Sequence, residues 1–347
     1  MVGAHSSGGE PNPARNSAPS LVALLGDLNI DQTLTVPAIP APGGDAVASS
    51  QQTQVGGSAT NTAIAVRRVG LRARLIARVG ADPLAASARS VLLAEGVDLG
   101  QMSVDPVEPT ATNIVLVTPD GERTMYAYRG ANAALAPEHV SPTALDATHA
   151  LHLSGYALLA DPQRDAAEQA TVEAVRRGVP VTLDVPVAAA ERASGAILAL
   201  LPTLAVTMVG ETEARTLTGR RDTAAAVADL ADRTGGRLAV KSGTAGSTIV
   251  ADGVRTHVPS MSVPVVDTTG AGDAFAAGMI AGLVVGLDDE ATLVMANTLG
   301  ALAVTRRGAG ELLPTRAEIV DALRTCWAAD PRLAEAASRA VATIGAG

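Results

Sequence analysis

The chain has 347 residues, of which 47% are hydrophobic and 18% charged, so a sizeable core is expected and global disorder is excluded. Its 26 basic and 35 acidic residues leave a net charge of −9, which disfavours broad binding to a nucleic-acid backbone, because that needs a positive face. With 3 Tyr, 1 Phe and 1 Trp, the core must be aliphatic, and platforms for stacking bases are scarce.

The length suits two modest domains or one large α/β domain with an appendage. Cys326 is the single cysteine and can form neither an intrachain disulfide nor a zinc site alone, so a reducing cytoplasm is expected. Residues 1–20 are rich in Gly, Ser, Pro and Asn and read as a disordered tail, not as a signal peptide. The longest apolar run, Ala274 to Leu287, is shorter than the ~20 residues of a membrane span and reads as a buried helix.

In chain order, Leu21 to Leu25 is an apolar run ending at Gly26-Asp27, the pattern of a buried strand feeding a loop. Residues 31–55 are turn-rich, with the short alternating stretch Thr33 to Val36. Asn61 to Val69 is helical in character, Leu75 to Val79 reads as a strand, and Ala85 to Glu95 as a helix stopped by Gly96. A second strand-rich patch runs from Met102 to Tyr128. There Asn113–Val117 and Arg123–Tyr128 flank Pro119-Asp120-Gly121, a hairpin signal. Beyond Ala150 the pattern is regular. Strands are predicted at Ala150–Leu153, Val179–Leu183, Leu204–Met208 and Leu238–Val240, with helices such as Asp165–Arg177 and Thr223–Arg233 between them. This alternation predicts an α/β fold with a mainly parallel sheet covered by helices. The two strand-rich excursions predict a small β lid on that body. Leu333 to Ile344 reads as a last helix.

The most informative stretch is Val265 to Gly278, in which Asp267-Thr268-Thr269-Gly270-Ala271-Gly272-Asp273 leads directly into the apolar helix. The first N–H groups of a helix lack partners and carry partial positive charge. Gly270 and Gly272 let the backbone approach an anion closely. The segment is therefore a phosphate cradle by construction. Asp273 at its mouth is either a base for a hydroxyl attacking that phosphate or an ordinary acidic residue of a helix's first turn; spacing leaves both open.

Asp267 to Asp273 resembles the C-terminal signature of the ribokinase/PfkB family of carbohydrate kinases, and Gly56-Gly57-Ser58-Ala59-Thr60-Asn61-Thr62-Ala63 resembles its N-terminal signature. The resemblance extends from about Leu21 to Pro314. It implies a ribokinase-like three-layer α/β/α body over residues 21–30, 58–100 and 133–330. It also implies a β-strand lid over 31–57 and 101–132, and leaves a C-terminal helix or tail over 331–347. It implies Asp273 as the base and the backbone amides of Gly270, Ala271 and Gly272 as the anion hole for the γ-phosphoryl group. Asn29 and Asp31, in a loop after the first strand, would bind sugar hydroxyls together with Gly57, Ser58 and Asn61. Tyr156 falls near the sugar. ATP would meet Lys241, Gly243, Ala245 and Gly246, with Asn297 near the adenine and Glu213 tied to Mg2+ and phosphate. Oxygens of Asp267, Thr269, Ala303, Arg306 and Gly308, mostly backbone carbonyls, would surround a monovalent cation such as K+. Residue by residue, Asn297 reads equally as a satisfied polar group in a buried helix, and Asp267 as a cap of the glycine-rich turn.

The chain departs from the family pattern in places. Gly210 stands where the family has Asn in Asn-x-x-Glu, Ser58 where ribokinases have Lys, and Tyr156 near where they have Glu. Asp184-Val185-Pro186-Val187 replaces Asp-x-Asn-x-Arg, and Leu312 replaces a small polar residue near the cation. Gly235 to Ser242 falls one glycine short of a Walker A loop, and Gly243-Thr244-Ala245-Gly246 lacks dinucleotide-binding spacing. His5, His139, His149, His152 and His257 show no metal spacing and read as surface or capping residues; Arg306-Arg307 reads as solvated charge.

The resulting expectation is an ATP-dependent sugar kinase using Mg2+, with a nucleoside kinase on the same scaffold or a non-catalytic sugar or nucleotide sensor as competing readings. No nucleic-acid or membrane partner is expected, and a homodimer through the lid is. Tyr126 and Tyr128 on the lid and Tyr156 near the sugar are the expected selectivity residues; Phe275 should lie behind the anion hole and Trp327 away from the cleft.

Overall fold

The computed structural model describes residues 19–345. Most of the expected N-terminal tail, and His5 within it, lies outside the described residues. In chain order the elements are β1 (Leu21–Leu25), β2 (Asn29–Thr35), β3 (Ser50–Gly56), α1 (Ser58–Arg68), β4 (Arg72–Gly80), α2 (Pro83–Ala94), β5 (Asp98–Asp105), β6 (Ala111–Val117), β7 (Arg123–Tyr128) and α3 (Gly130–Ala133). There follow β8 (Thr148–Ser154), α4 (Gln163–Arg176), β9 (Val181–Asp184), α5 (Val187–Arg192), α6 (Ser194–Leu200), β10 (Val206–Gly210), α7 (Glu211–Thr218), α8 (Thr223–Arg233) and β11 (Arg237–Lys241). The chain ends with β12 (Ser247–Ala251), β13 (Val254–Val258), α9 (Ala271–Val285), α10 (Asp289–Ala303), α11 (Arg316–Thr325) and α12 (Pro331–Gly345).

A nine-stranded sheet runs in the order β13-β12-β11-β10-β9-β8-β1-β4-β5. It is parallel from β5 to β11, as the βα alternation predicts. All five residues of β1 are buried, which is why its sequence is a continuous apolar run without alternation. The sequence reading stopped at Val240 and missed the antiparallel β12–β13 hairpin. Its signal was Asp252-Gly253, a two-residue turn with positive φ at both positions (51° and 75°). One apolar cluster lies on the sheet face covered by α1, α9 and α10, and a second on the face covered by α4 to α8. Trp327 belongs to the first cluster and donates to Thr298 Oγ1 at 2.9 Å. Among the described residues, no helix is long and apolar enough to cross a membrane.

A four-stranded sheet, β3-β2-β6-β7, sits on this body, with β2 and β6 parallel and its other pairs antiparallel. Its limits differ from the sequence expectation. It begins at Asn29, not residue 31, and residues 101–105 complete β5 in the large sheet instead of joining the lid. The reason is tertiary: Leu99, Met102 and Asp105 of β5 turn into the body, where Asp105 pairs with buried Arg78 of β4 at 2.9 Å. His152 is a further correction. It is neither surface nor cap but fully buried on β8, bonded to Thr182 Oγ1 at 2.9 Å and kept neutral by burial, with its pKa pushed down to about 4.

Candidate active site

Parallel strands leave their loops at their C-terminal ends, and the polar residues collect there. Asp27 follows β1, Tyr156 follows β8, and Asp184 and Lys241 close β9 and β11. The N-terminus of α9 points into the same place. Gly270 precedes it with φ +76°, and a Cβ there would lie 2.8 Å from the Ala309 Cβ, so the turn needs glycine. Among the described residues, the Gly270, Gly272 and Asp273 N–H groups have no partner, whereas the Ala271 N–H is shared with the Thr268 carbonyl at 3.3 Å. Of the three amides that the resemblance implies for an anion hole, those of Gly270 and Gly272 are thus open to an anion, and that of Ala271 is already engaged.

Asp273 accepts from Ser58 Oγ at 2.7 Å on one carboxylate oxygen and from Asn61 Nδ2 at 2.7 Å on the other. Asn61 in turn accepts the Gly310 N–H at 3.0 Å, so the chain 249 residues downstream fixes the Asn61 amide. Burial pushes the Asp273 pKa up to about 6; the Asn61 and Ser58 hydrogen bonds pull against it, and the Asp184 carboxylate adds to it. Ser58 and Asn61 are delivered by the first turn of α1. Its N-cap, Gly57, has φ +99°, and a Cβ there would meet the Asp27 carbonyl oxygen at 2.3 Å.

On one side of Asp273 lies the predicted acceptor region. Asn29 accepts from Asn132 Nδ2 at 2.8 Å, and Asp31 from Asn113 Nδ2 at 2.7 Å. Burial raises the pKa of Asp31 against the opposing effects of Asn113 and the Arg123 charge. Tyr156 is half-buried; burial, then the carboxylates of Asp273, Asp184 and Asp27, hold its hydroxyl protonated as a donor. Sequence reasoning missed the network beneath it. Asp27 receives Arg129 Nη2 at 3.0 Å and Gln163 Nε2 at 2.8 Å, and Arg129 also binds the Tyr156 carbonyl at 3.2 Å. Tyr126 and Tyr128 are not in this region. Asn113 pairs with Ala127, so the strand alternation puts both tyrosines on the face opposite Asn113 and Arg123, more than half exposed.

On the other side a cavity of about 440 Å3 opens between β11, the chain after β13, α9 and α10. Lys241, Gly243, Gly246 and Asn297, which the resemblance assigns to ATP, line it; exposed Ala245, assigned there too, does not. Phe275 forms part of its wall, and Met261, Val263 and Val304, which the sequence did not single out, supply apolar surface. Asn297 bonds Ser247 Oγ at 2.7 Å and donates to the Val258 and Pro259 carbonyls at 3.0 and 3.1 Å, so its amide donors are already used in tying α10 to the sheet edge. Lys241 pairs with Asp184 at 2.5 Å beside Gly272. Burial disfavours the Lys241 ammonium, but Asp184, then Glu213 and Asp273, outweigh it and keep its pKa above the ordinary lysine value. Glu213 folds back over Gly210: a Cβ on Gly210 would lie 2.3 Å from Glu213 Oε2, so the carboxylate fills the space of the missing Asn side chain.

The residues expected around a monovalent cation are partly assembled. Asp267 receives the Thr269 N–H at 3.0 Å, the Thr269 hydroxyl at 2.7 Å and the Gly308 N–H at 2.9 Å. The Arg306 side chain turns away to Glu318 at 2.8 Å, and the Asp267 and Val266 N–H groups bond the carbonyl of Val304, the residue after Ala303. A larger hollow of about 700 Å3 lies at the opposite end of β11, around Arg237, Arg255, Asp289 and Arg339. Its charges mostly neutralise each other, as in the Arg237–Asp289 pair at 2.6 Å.

Residues 19–316 match the pfkB family of carbohydrate kinases. Fructokinase of Klebsiella pneumoniae is 34% identical over 279 residues, covering 76% of this chain and 90% of that protein. An ATP-dependent ribose-1-phosphate kinase of Halopiger xanaduensis is 33% identical, covering 83% of this chain and 93% of that protein. Among solved structures, a candidate ribokinase II from E. coli in complex with ATP and Mg2+ superposes with a TM-score of 0.77 at 27% identity, covering 86% of this chain and 97% of its own. A glycine-bounded helix N-terminus, a carboxylate at its mouth and this match over most of the sequence agree: the chain belongs to the pfkB family of carbohydrate kinases, phosphotransferases with an alcohol acceptor.

Proposed function

We propose that the protein transfers the γ-phosphoryl group of ATP to the hydroxymethyl group of a small sugar. The observation that carries this reading is the Asp273 carboxylate, its pKa pushed up to about 6, beside unpartnered amides of Gly270 and Gly272. One Asp273 oxygen takes the proton of the acceptor hydroxyl as its oxygen bonds to the γ-phosphorus. The bond from that phosphorus to the bridging oxygen breaks, and ADP leaves with the electron pair. The two amides meet the charge on the transferring group, and the apolar wall around Phe275 keeps water out. Mg2+ would neutralise phosphate charge; Glu213 and Asp184, whose charges both act on Lys241, are the carboxylates available to it, directly or through water. Asn29, Asp31, Gly57, Ser58, Asn61 and Tyr156 would line the sugar, and Lys241, Gly243 and Gly246 the nucleotide.

The aromatic geometry favours a sugar over a nucleoside. A base needs a stacking partner, and with Tyr126 and Tyr128 on the far face and Phe275 in the wall of the nucleotide cavity, Tyr156 is the one aromatic left for the acceptor among the described residues. An ATP-consumption assay over fructose, ribose, ribose 1-phosphate, adenosine and pseudouridine tests this. Turnover of a free sugar or sugar phosphate is expected. Turnover confined to nucleosides would replace the acceptor assignment, and none with any acceptor would favour a sensor.

The outer face of the small sheet carries Leu34, Ile114, Leu116, Tyr126 and Tyr128, with both tyrosines more than half exposed. This supports a homodimer through that face. Light scattering should give twice the chain mass, and Tyr126→Glu should return it to the monomer. A wild-type monomer at working concentration would remove the dimer. A cytoplasmic setting accords with the single cysteine.

A further inference from the structure

The place that the family resemblance gives to a monovalent cation is met here by a guanidinium. Arg123, on β7 of the small sheet, reaches across to the body with Nη1 2.9 Å from Asp267 Oδ1 and also bonded to Thr269 Oγ1. Asp267 Oδ1 additionally takes the Thr269 N–H and hydroxyl, and Oδ2 takes the Gly308 N–H. Both carboxylate oxygens therefore face donors. A cation needs oxygens free to coordinate, and a fixed positive charge at this distance repels it. Leu312, in the loop beside Gly308 and Gly310, brings no side-chain oxygen where the family has a small polar side chain. The donor set does not fit K+ while Arg123 is in place.

We propose that Arg123 takes over the work of the monovalent cation. Its guanidinium neutralises Asp267 and pins Thr269, the residue that leads into Gly270, so it orients the amides that receive the phosphoryl group. Arg123 acts through its bonds to Asp267 and Thr269 and is a positioning residue. Because the small sheet carries it, and because the same charge acts on Asp31, it links the acceptor side of the cleft to the phosphate side. The inference rests on the kinase reading above for its catalytic consequence, but its electrostatic claim can be read without turnover.

The test uses the full chain freed of K+ and Na+, with choline chloride holding ionic strength constant. Wild type, Arg123→Ala and Arg123→Lys are assayed with the acceptor found in the panel, and each is melted with and without KCl. Wild type is expected to show the same kcat and melting temperature in KCl and in choline chloride. Arg123→Ala should lose about 10- to 100-fold in kcat, the scale of a misplaced catalytic group, with a smaller change in KM for ATP. KCl, and not choline chloride, should restore part of that rate and raise the variant's melting temperature, while Arg123→Lys should lie between the other two. Wild type activated or thermally stabilised by K+ would overturn the proposal. So would Arg123→Ala with full kcat in choline chloride, or a loss that neither K+ nor lysine recovers. If no acceptor is turned over, the kinase reading fails, and the K+-specific melting shift confined to Arg123→Ala still decides the electrostatic claim.

Discussion

Asp273→Asn is expected to lower kcat by about 10²- to 10⁴-fold, the usual share of a general base, while leaving ATP affinity near wild type. Asparagine fits the site. Its oxygen can accept from Asn61 and its amide can donate to Ser58 Oγ, which turns from donor to acceptor. The same change should stabilise the fold. With the Asp273 pKa raised to about 6 from 3.8, the ionised carboxylate costs up to about 3 kcal/mol of folding free energy at neutral pH. The native state holds its proton more tightly than the unfolded chain, so this cost is absent below about pH 4, grows as pH rises to about 6 and is constant above. The variant should thus melt higher than wild type at pH 8 and equal to it near pH 4. The wild-type rate should fall with unit slope on acidification below about pH 6, where Asp273 protonates. A variant that keeps most of its kcat would remove Asp273 as the base, whatever its stability.

Gly57→Ala should be among the most damaging single methyls in the cleft. Position 57 has φ +99°, and the added Cβ would lie 2.3 Å from the carbonyl oxygen and 2.8 Å from the carbonyl carbon of Asp27, backbone atoms that cannot swing aside. Strain and displacement together should destabilise the protein by roughly 2–4 kcal/mol. The harm to activity should exceed the harm to stability. Gly57 sets the first turn of α1, and Ser58 and Asn61 on that turn hold both oxygens of Asp273. Moving that turn by about 1 Å should lower kcat about 10²-fold in the fraction that remains folded. Urea unfolding and active-site-normalised kinetics separate the two effects. A soluble Gly57→Ala protein with wild-type kcat would show that α1 does not position the base.

Much of the body was legible because its signals are local. The buried run of β1, each strand and helix of the βα alternation after residue 150, and the glycine-bounded start of α9 declare themselves in consecutive residues. The β12–β13 hairpin was also written locally, in Asp252-Gly253, and was overlooked beside the longer parallel pattern. The boundary between sheets was not local. Residues 101–105 have the short alternating look of lid strands, and the Arg78–Asp105 pair, from another strand, keeps them in the large sheet.

The site divides in the same way. By itself the sequence determined the phosphate cradle and the candidate base, because consecutive residues build a helix N-terminus and its first acidic side chain. The two signatures, far apart in the chain, were tied to one another only through resemblance. Tertiary structure decided what holds Asp273 in place, what occupies the space left by Gly210, and which side of the small sheet its tyrosines face. It also brought Arg123 against Asp267, a contact spanning 144 residues that no spacing rule encodes. The physical reason is that hydrogen bonds, burial and charge depend on distances in space. Strand register and helix packing set those distances, and in this chain they join residues from opposite ends of the sequence. The aliphatic composition foretold a well-packed core and few stacking partners; only the fold showed that one of the three tyrosines lies within reach of the Asp273 charge.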